Sequence, residues 1–271
     1  MAGTPLHFGD SERLLYGVFH EAETRVARAP AVLFFNPFGE EAIRAYRIFK
    51  VLSDRLARNG IAALRFDYYG SGDSGGDDLD VTITGMIDDA VHAQDELEAL
   101  SGARSFVWVG LGLGGAIAVH TAQKLRPRLS QLFLWDPVLN GATYLNDMHK
   151  AHGAFLSSVM DEPLEAVRRK LPARGCDMRE ALGFAISDQF ASELSALEVS
   201  DTIARLGECH FMQSPQALID DGFLTAQGGA GTHIHQFKEE AGSWNSNEAL
   251  NSFYVPSASL DYILRAVKAY S

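Results

Sequence analysis

The stretch Phe106 to His120, FVWVGLGLGGAIAVH, restricts the fold more than any other part of the chain. Phe106 to Val109 is apolar and rich in β-formers, and it runs directly into Gly110-Leu111-Gly112-Leu113-Gly114-Gly115. The small, helix-compatible run Ala116 to Ala122 follows. A buried strand, a glycine-forced turn and a helix in immediate succession leave little room for anything but an α/β architecture.

Two motifs compete for this turn. In a nucleophile elbow, GxSxG, the central residue sits at a strained exposed turn, and the outer glycines let strand and helix approach without Cβ clashes. Gly110 and Gly114 fill the outer positions, and Gly112 stands where the serine would be, so the side-chain nucleophile is absent. The alternative is a dinucleotide fingerprint, GxGxxG, met by Gly110, Gly112 and Gly115 with Asp136 at the end of the next strand. Position argues against it: a dinucleotide unit usually opens its domain, whereas two strand-helix units precede this one and Pro137 follows Asp136. No cofactor is therefore expected.

Charge and composition exclude other classes. At 271 residues and 46% hydrophobic content the chain can bury one large core, with or without an insertion. A formal net charge of −12 and no long Lys/Arg run argue against nucleic acid. No segment approaches 18 consecutive apolar residues, and the N-terminal stretch lacks a basic region followed by an apolar core, so a cytoplasmic protein without membrane insertion is expected. A homodimer is left open. Cys176 and Cys209 are far apart and form no CxxC, which reads as two ordinary thiols.

In chain order, Leu6 to Gly9 and Arg13 to His20 flank the polar turn Asp10 to Glu12 and predict an edge hairpin. Ala31 to Asn36 is a short apolar strand ending in Pro37-Phe38-Gly39. Ile43, Tyr46, Phe49, Leu52 and Leu56 recur at helical spacing across Ala42 to Arg58, and Asn59-Gly60 ends that helix. Ile61 to Phe66 predicts the next strand, followed by the glycine-rich loop Asp67 to Gly76 and a helix from Thr84 to Leu100, with Ile87, Val91 and Leu97 on one face. Beyond the elbow, Gln131 to Trp135 is a strand leading into Asp136-Pro137-Val138. From Ala142 to Ser200 no strand is expected; helical stretches such as Ala151 to Met160 and Leu164 to Lys170 are broken at Pro163, Pro172 and Gly175. This segment reads as a helical cap over the strand ends, or else as extra helices on the sheet flank. Cys209 to Gln213 and Thr232 to Phe237 are the last strands, and Leu260, Ile263, Leu264 and Val267 mark a final helix. Alternating strands and helices imply right-handed crossovers and a mostly parallel sheet.

The order of elements, together with Phe35-Asn36-Pro37-Phe38-Gly39, the loop Asp67-Tyr68-Tyr69-Gly70-Ser71-Gly72-Asp73-Ser74 and the elbow, resembles the α/β-hydrolase fold in its serine-aminopeptidase-like branch. Pro37-Phe38-Gly39-Glu40-Glu41, Gly110-Leu111-Gly112-Leu113-Gly114, Leu134-Trp135-Asp136-Pro137-Val138 and Trp244 make it similar to a subgroup of exosortase-associated or uncharacterised hydrolases, whose elbow commonly carries arginine in place of serine. The resemblance implies about eight mostly parallel strands with helices on both faces. The core would be residues 1–140 and 201–271, with the cap at 141–200. It also implies a bacterial polysaccharide or secondary-metabolite setting by association.

The same resemblance places the catalytic histidine in the loop Lys238 to Pro256, which contains none, and leaves only Asp220 and Asp221 near the acid position. Without nucleophile and base a carboxylate alone cannot run triad acyl transfer. The oxyanion donors are backbone N–H groups, here of Leu113 and Phe38, and they survive side-chain loss.

Several residues remain as candidates. Glu40 or Glu41 can face the cavity as a general base, or simply favour the dipole of the helix they open. Asp136 can be an acid or ligand-binding carboxylate outside the strand ends, or only a turn starter before proline. Asp67 and Asp73 fit local hydrogen bonds that hold the glycine-rich loop. His149 and His152 lie in the cap without a partner carboxylate in view. His233 and His235 share a strand face, which suits a metal, but show no third ligand, so no metal is expected. Trp135 reads as pocket lining or core, and Trp244 as pocket lining where the missing histidine would sit.

Two function classes follow. One is an enzyme acting on a small acyl, ester, thioester or carbonyl substrate without a covalent serine intermediate; the other is a pseudoenzyme that binds a small ligand or a protein partner through the vestigial pocket.

Overall fold

A computed structural model of the chain describes residues 3–24, 26–125, 129–163, 165–166, 179–199, 203, 206, 208–214, 231–237 and 255–270. Eight strands form one sheet: β1 (Thr4–Asp10), β2 (Arg13–His20), β3 (Ala31–Phe35), β4 (Ala63–Asp67), β5 (Phe106–Leu111), β6 (Leu129–Trp135), β9 (Glu208–Gln213) and β10 (Thr232–Gln236). Their order is β1-β2-β4-β3-β5-β6-β9-β10. Within this sheet, among the described residues, β1 with β2 and β2 with β4 pair antiparallel and the other pairings are parallel. The mostly parallel sheet expected from the resemblance is thus present.

Helices cover both faces. Helix α1 (Glu40–Arg58) carries Glu40 and Glu41 in its first turn and Arg55 and Arg58 in its last, each sign at the end of the dipole it stabilises. Its buried stripe is Ala45, Ile48, Phe49, Leu52 and Leu56, so Ile43 and Tyr46 fall off the core face and are exposed. Helix α2 (Ile83–Ser101) begins on Thr82, whose hydroxyl accepts the Gly85 N–H at 2.9 Å, and ends on Gly102 in the left-handed region. It buries Met86, Ala90, Ala93 and Leu97, leaving Ile87 and Val91 half-buried beside that stripe. Helices α2 and α3 (Leu113–Leu125) pack on one face, in a cluster with Leu33, Phe35, Phe66, Trp108 and Leu134. Helix α1 and the C-terminal helix (Ser257–Ala269) pack on the other, against Phe34, Val109, Phe133, Trp135 and Met212.

The segment between β6 and β9 departs from its sequence reading. Helix α4 is continuous over Gly141–Met160, capped by the Asn140 side chain on the Thr143 N–H at 2.8 Å. A two-strand hairpin, β7 (Glu180–Ala181) with β8 (Phe184–Ala185), appears where no strand was expected. These strands are too short to show an alternating pattern. Helix α5 (Asp188–Ser195), not anticipated, is capped by Ser187 Oγ on the Phe190 N–H at 3.1 Å. The helix expected at Leu164 to Lys170 lies almost wholly outside the described residues. The C-terminal helix is α6.

Phe190, Leu194 and Leu197 from this insertion join Leu113 and the α2 side chains in one core cluster. Among the described residues no helix is long and apolar enough to cross a membrane.

Candidate functional site

The strand, turn and helix that the sequence reads as an elbow are present, with Gly112 at the turn. Gly112 has φ +55, between the end of β5 and the start of α3. Its N–H donates to Trp135 O at 3.0 Å, and its carbonyl accepts from Gly115 and Val138, each at 3.1 Å. The flanking glycines are demanded by space. A Cβ on Gly114 would lie 2.2 Å from Phe35 O and 2.5 Å from Asn36 O, and one on Gly110 2.6 Å from Gly115 Cα. The elbow therefore presses the N-terminus of α3 onto the loop that follows β3.

That loop, Asn36 to Gly39, borders a cavity of about 500 Å³. The wall runs from Phe38 and Gly39 through Ile43 and Tyr46 on α1 to Asp67, Tyr68 and the glycine-rich loop, with Phe184 of the insertion closing one side. Phe38 stacks on Phe190 at 4.6 Å between ring centres, and Phe184 meets it edge-on at 6.2 Å. Gly112 and Leu113 do not line this space; both are buried, Leu113 completely. Of the two expected oxyanion residues only Phe38 reaches the cavity.

The carboxylates singled out from sequence are engaged elsewhere. Glu40 pairs with Arg44 at 2.7 Å, one helical turn on. Glu41 accepts the Tyr144 hydroxyl of α4 at 2.8 Å. Asp136, in the left-handed region at φ +43, accepts the Ser214 N–H at 2.7 Å and a short hydrogen bond from the Ser214 hydroxyl, which joins the exits of β6 and β9. None of the three lines the cavity.

Asp67 does line it. Its Oδ2 accepts the Asp73 N–H at 3.1 Å, as expected of a residue holding the glycine-rich loop, and Asn36 Nδ2 approaches Oδ1 at 3.5 Å. Burial raises its carboxyl above the ordinary aspartate value, opposed by the Asp73 N–H. Ser74 completes the loop, accepting the Tyr16 N–H at 2.8 Å and donating to Asp67 O at 2.6 Å. The loop is anchored below by Asp89, which takes Arg13 Nε at 2.5 Å, Arg13 Nη2 at 3.0 Å and the Tyr69 N–H at 2.9 Å. Sequence reasoning missed Ile43, Tyr46 and Phe184 as cavity walls. Only the rotational setting of α1 and the folding-back of the β7–β8 hairpin reveal them.

The remaining candidates have structural places. His152 Nδ1 accepts the Leu182 N–H at 3.1 Å and holds the small hairpin, and His149 is half-buried on α4. Trp135 is fully buried core. Cys209 is buried, its thiol pushed up to about 12 by burial and then by Glu208. Trp244, Asp220, Asp221 and Cys176 lie outside the described residues. At the far edge of the sheet the structure brings together Glu208, His210 and His233, three groups whose ligand atoms all lie within 4.8 Å of one another.

The family model described as Serine aminopeptidase, S33, matches residues 29–197. No curated protein matches the chain in sequence. Among solved structures, the chain is similar to a monoglyceride lipase from Saccharomyces cerevisiae in complex with a substrate analogue, with TM-score 0.67, 13% identity, and 100% of this chain and 96% of that chain covered. It is likewise similar to an esterase from Exiguobacterium antarcticum, with TM-score 0.63, 14% identity and 98% and 100% coverage. A crystal structure of a putative hydrolase from Agrobacterium vitis aligns with TM-score 0.61, 16% identity and 99% and 98% coverage. At such identities these likenesses speak to fold alone.

Proposed function

Because the chain belongs to the serine aminopeptidase S33 family of α/β-hydrolases, we propose that it uses the hydrolase scaffold to hold a small acyl- or carbonyl-bearing molecule without forming an acyl-enzyme. The observation that carries this reading is the separation of cavity from elbow. Phe38 and Asp67 line the cavity, while Gly112 and Leu113 are buried and are not among its lining residues. With glycine at position 112 and no histidine between 238 and 256, neither half of a covalent mechanism is available from the triad positions. Among the described residues the cavity wall contains Asp67, Asp73 and Asp78 and no lysine or arginine, which favours a neutral or cationic ligand over a free carboxylate. Phe38, Tyr46 and Phe184 supply apolar faces for its body.

A second reading is favoured by Asp67 itself: a carboxylate in the cavity whose pKa is raised by burial is suited to activating water against a bound ester. The experiment that separates the two is a panel of short- to medium-chain esters, thioesters and their amides, scored for melting-temperature shift and for turnover. Wild type, Ile43→Trp, which fills the cavity from an exposed position, and Asp67→Asn would be compared. Ligand-induced shifts abolished by Ile43→Trp, with no turnover, support binding. Turnover lost in Asp67→Asn while ligand shifts persist supports water activation. Shifts unaffected by Ile43→Trp would refute this cavity as the site.

A further inference from the structure

A second cluster of chemically capable side chains lies at the opposite end of the sheet from the elbow, where β6, β9 and β10 begin. Register creates it. Gln131 stands opposite Glu208, Phe133 opposite His210, and His210 opposite His233, so these side chains leave the same sheet face, the one covered by α6. His210 is held firmly: its ring stacks on Phe133 at 4.3 Å, and its Nδ1 lies 2.8 Å from the Tyr262 hydroxyl of α6. The other ring nitrogen, Nε2, is directed at Glu208 Oε1 at 3.2 Å, and His233 Nε2 reaches the same oxygen at 3.0 Å.

We propose that Glu208, His210 and His233 form a binding site for a divalent transition-metal ion of the Zn²⁺ type. Two imidazole nitrogens and one carboxylate oxygen are a donor set that Zn²⁺ accepts with bonds of about 2.0–2.2 Å, leaving a fourth position for water. Ligand atoms around such a tetrahedral ion stand about 3.3 Å apart, close to the 3.0 and 3.2 Å separations already present. The imidazole of His233 lies stacked on that of His210 at 4.7 Å and must turn to aim its lone pair at a shared ion. Its side chain is half exposed and has the room.

Two further observations point the same way. Metal-bound histidines typically donate their second N–H to an oxygen that orients the ring, and Tyr262 already occupies that position behind His210. Gln131 is 1% exposed; its Nε2 lies 3.4 Å from His210 Nε2, and its Oε1 is buried with no hydrogen-bond partner among the described residues. A buried amide oxygen without a donor is destabilising, and a water on the ion would supply one. An ion held there would tie the edge strand β10 to β9, at the end of the sheet remote from the cavity.

The test uses the full chain stripped with chelator and titrated with ZnCl2 or CoCl2 alone. The expected result is one ion bound per chain, a saturable rise in melting temperature, and visible d–d absorption from Co²⁺. His233→Ala should weaken binding by about 100-fold or more, at or above the upper end of what loss of an orienting neighbour causes. In the metal-free protein it should lower the melting temperature far less than it lowers that of the zinc-loaded protein, because the half-exposed side chain then loses only its contacts with Glu208 and His210. His235→Ala, on the same strand face but outside the ligand set, should bind as wild type. Absence of a saturable shift and of Co²⁺ absorption in the wild type, or equal binding by His233→Ala, would overturn the assignment.

Discussion

Tyr144 of helix α4 donates its hydroxyl to Glu41 Oε2 at 2.8 Å, tying the insertion to the first turn of α1 beside the Pro37–Gly39 loop. Burial, reinforced by the Glu41 charge, raises the tyrosine well above its ordinary value, so it stays a donor throughout the neutral range. A residue that reads as a catalytic base from its position in sequence serves here to anchor helix α4.

Tyr144→Phe removes this charge-assisted bond and should cost about 2 kcal/mol. Glu41→Gln, which keeps an acceptor, should cost less. Urea unfolding of the two single variants and the double variant measures the coupling; additive losses would show that the pair contributes nothing beyond its separate parts.

Gly114→Ala should destabilise far more than Gly102→Ala. The first drives a Cβ into backbone oxygens of the loop after β3, which cannot swing aside, whereas the second meets nothing within 4 Å and carries only the strain of φ +63. About 1 kcal/mol is expected for the left-handed conformation alone. Comparable unfolding midpoints for the two would mean that helix α3 can shift away from the loop.

Gly112→Ser should not produce an esterase. The hydroxyl would sit at a buried turn with φ +55, without a histidine from residues 238–256 to take its proton. Turnover of p-nitrophenyl acetate should stay at the wild-type background. A burst of nitrophenol with one equivalent of acyl-enzyme would show that a base reaches the elbow after all.

Stability should fall below pH 6.5 in part through His20. It is buried, 3.1 Å from Asp54 and 3.3 Å from Arg65 Nε, and its pKa is lowered to about 4 by burial and then by Arg65, with Lys50 adding slightly and Asp54 opposing. The unfolded chain, titrating near 6.5, therefore takes up this proton first. The contribution is complete above pH 6.5 and is lost as pH falls towards 4, at no more than about 1.4 kcal/mol per pH unit. Denaturation midpoints of wild type and His20→Gln across pH 4–7 check this; parallel curves would assign the acid sensitivity to other groups.

Most of the sheet was legible in the chain because each parallel strand is buried on both faces and reads as an unbroken apolar run, as in Ala31 to Phe35 and Phe106 to Val109. The glycine pattern of the elbow was equally plain, since close backbone approach admits no other residue at Gly110 or Gly114. The hairpin at Glu180 to Ala185 was not legible, because two-residue strands carry no periodicity.

The chain's own pattern thus sets the order of the main-sheet strands, the turn at Gly112 and a glycine rather than a serine at its apex. Only the tertiary structure decided which carboxylates are available: Glu40, Glu41 and Asp136 are each drawn to a partner outside the cavity, while Asp67 is left in its wall. It alone set His210 beside His233 and Glu208 between them. The physical reason is common to both. A motif is fixed by neighbours along the chain, through backbone conformation and side-chain volume, whereas the partner of a polar group is chosen by strand register and helix rotation between segments far apart in sequence.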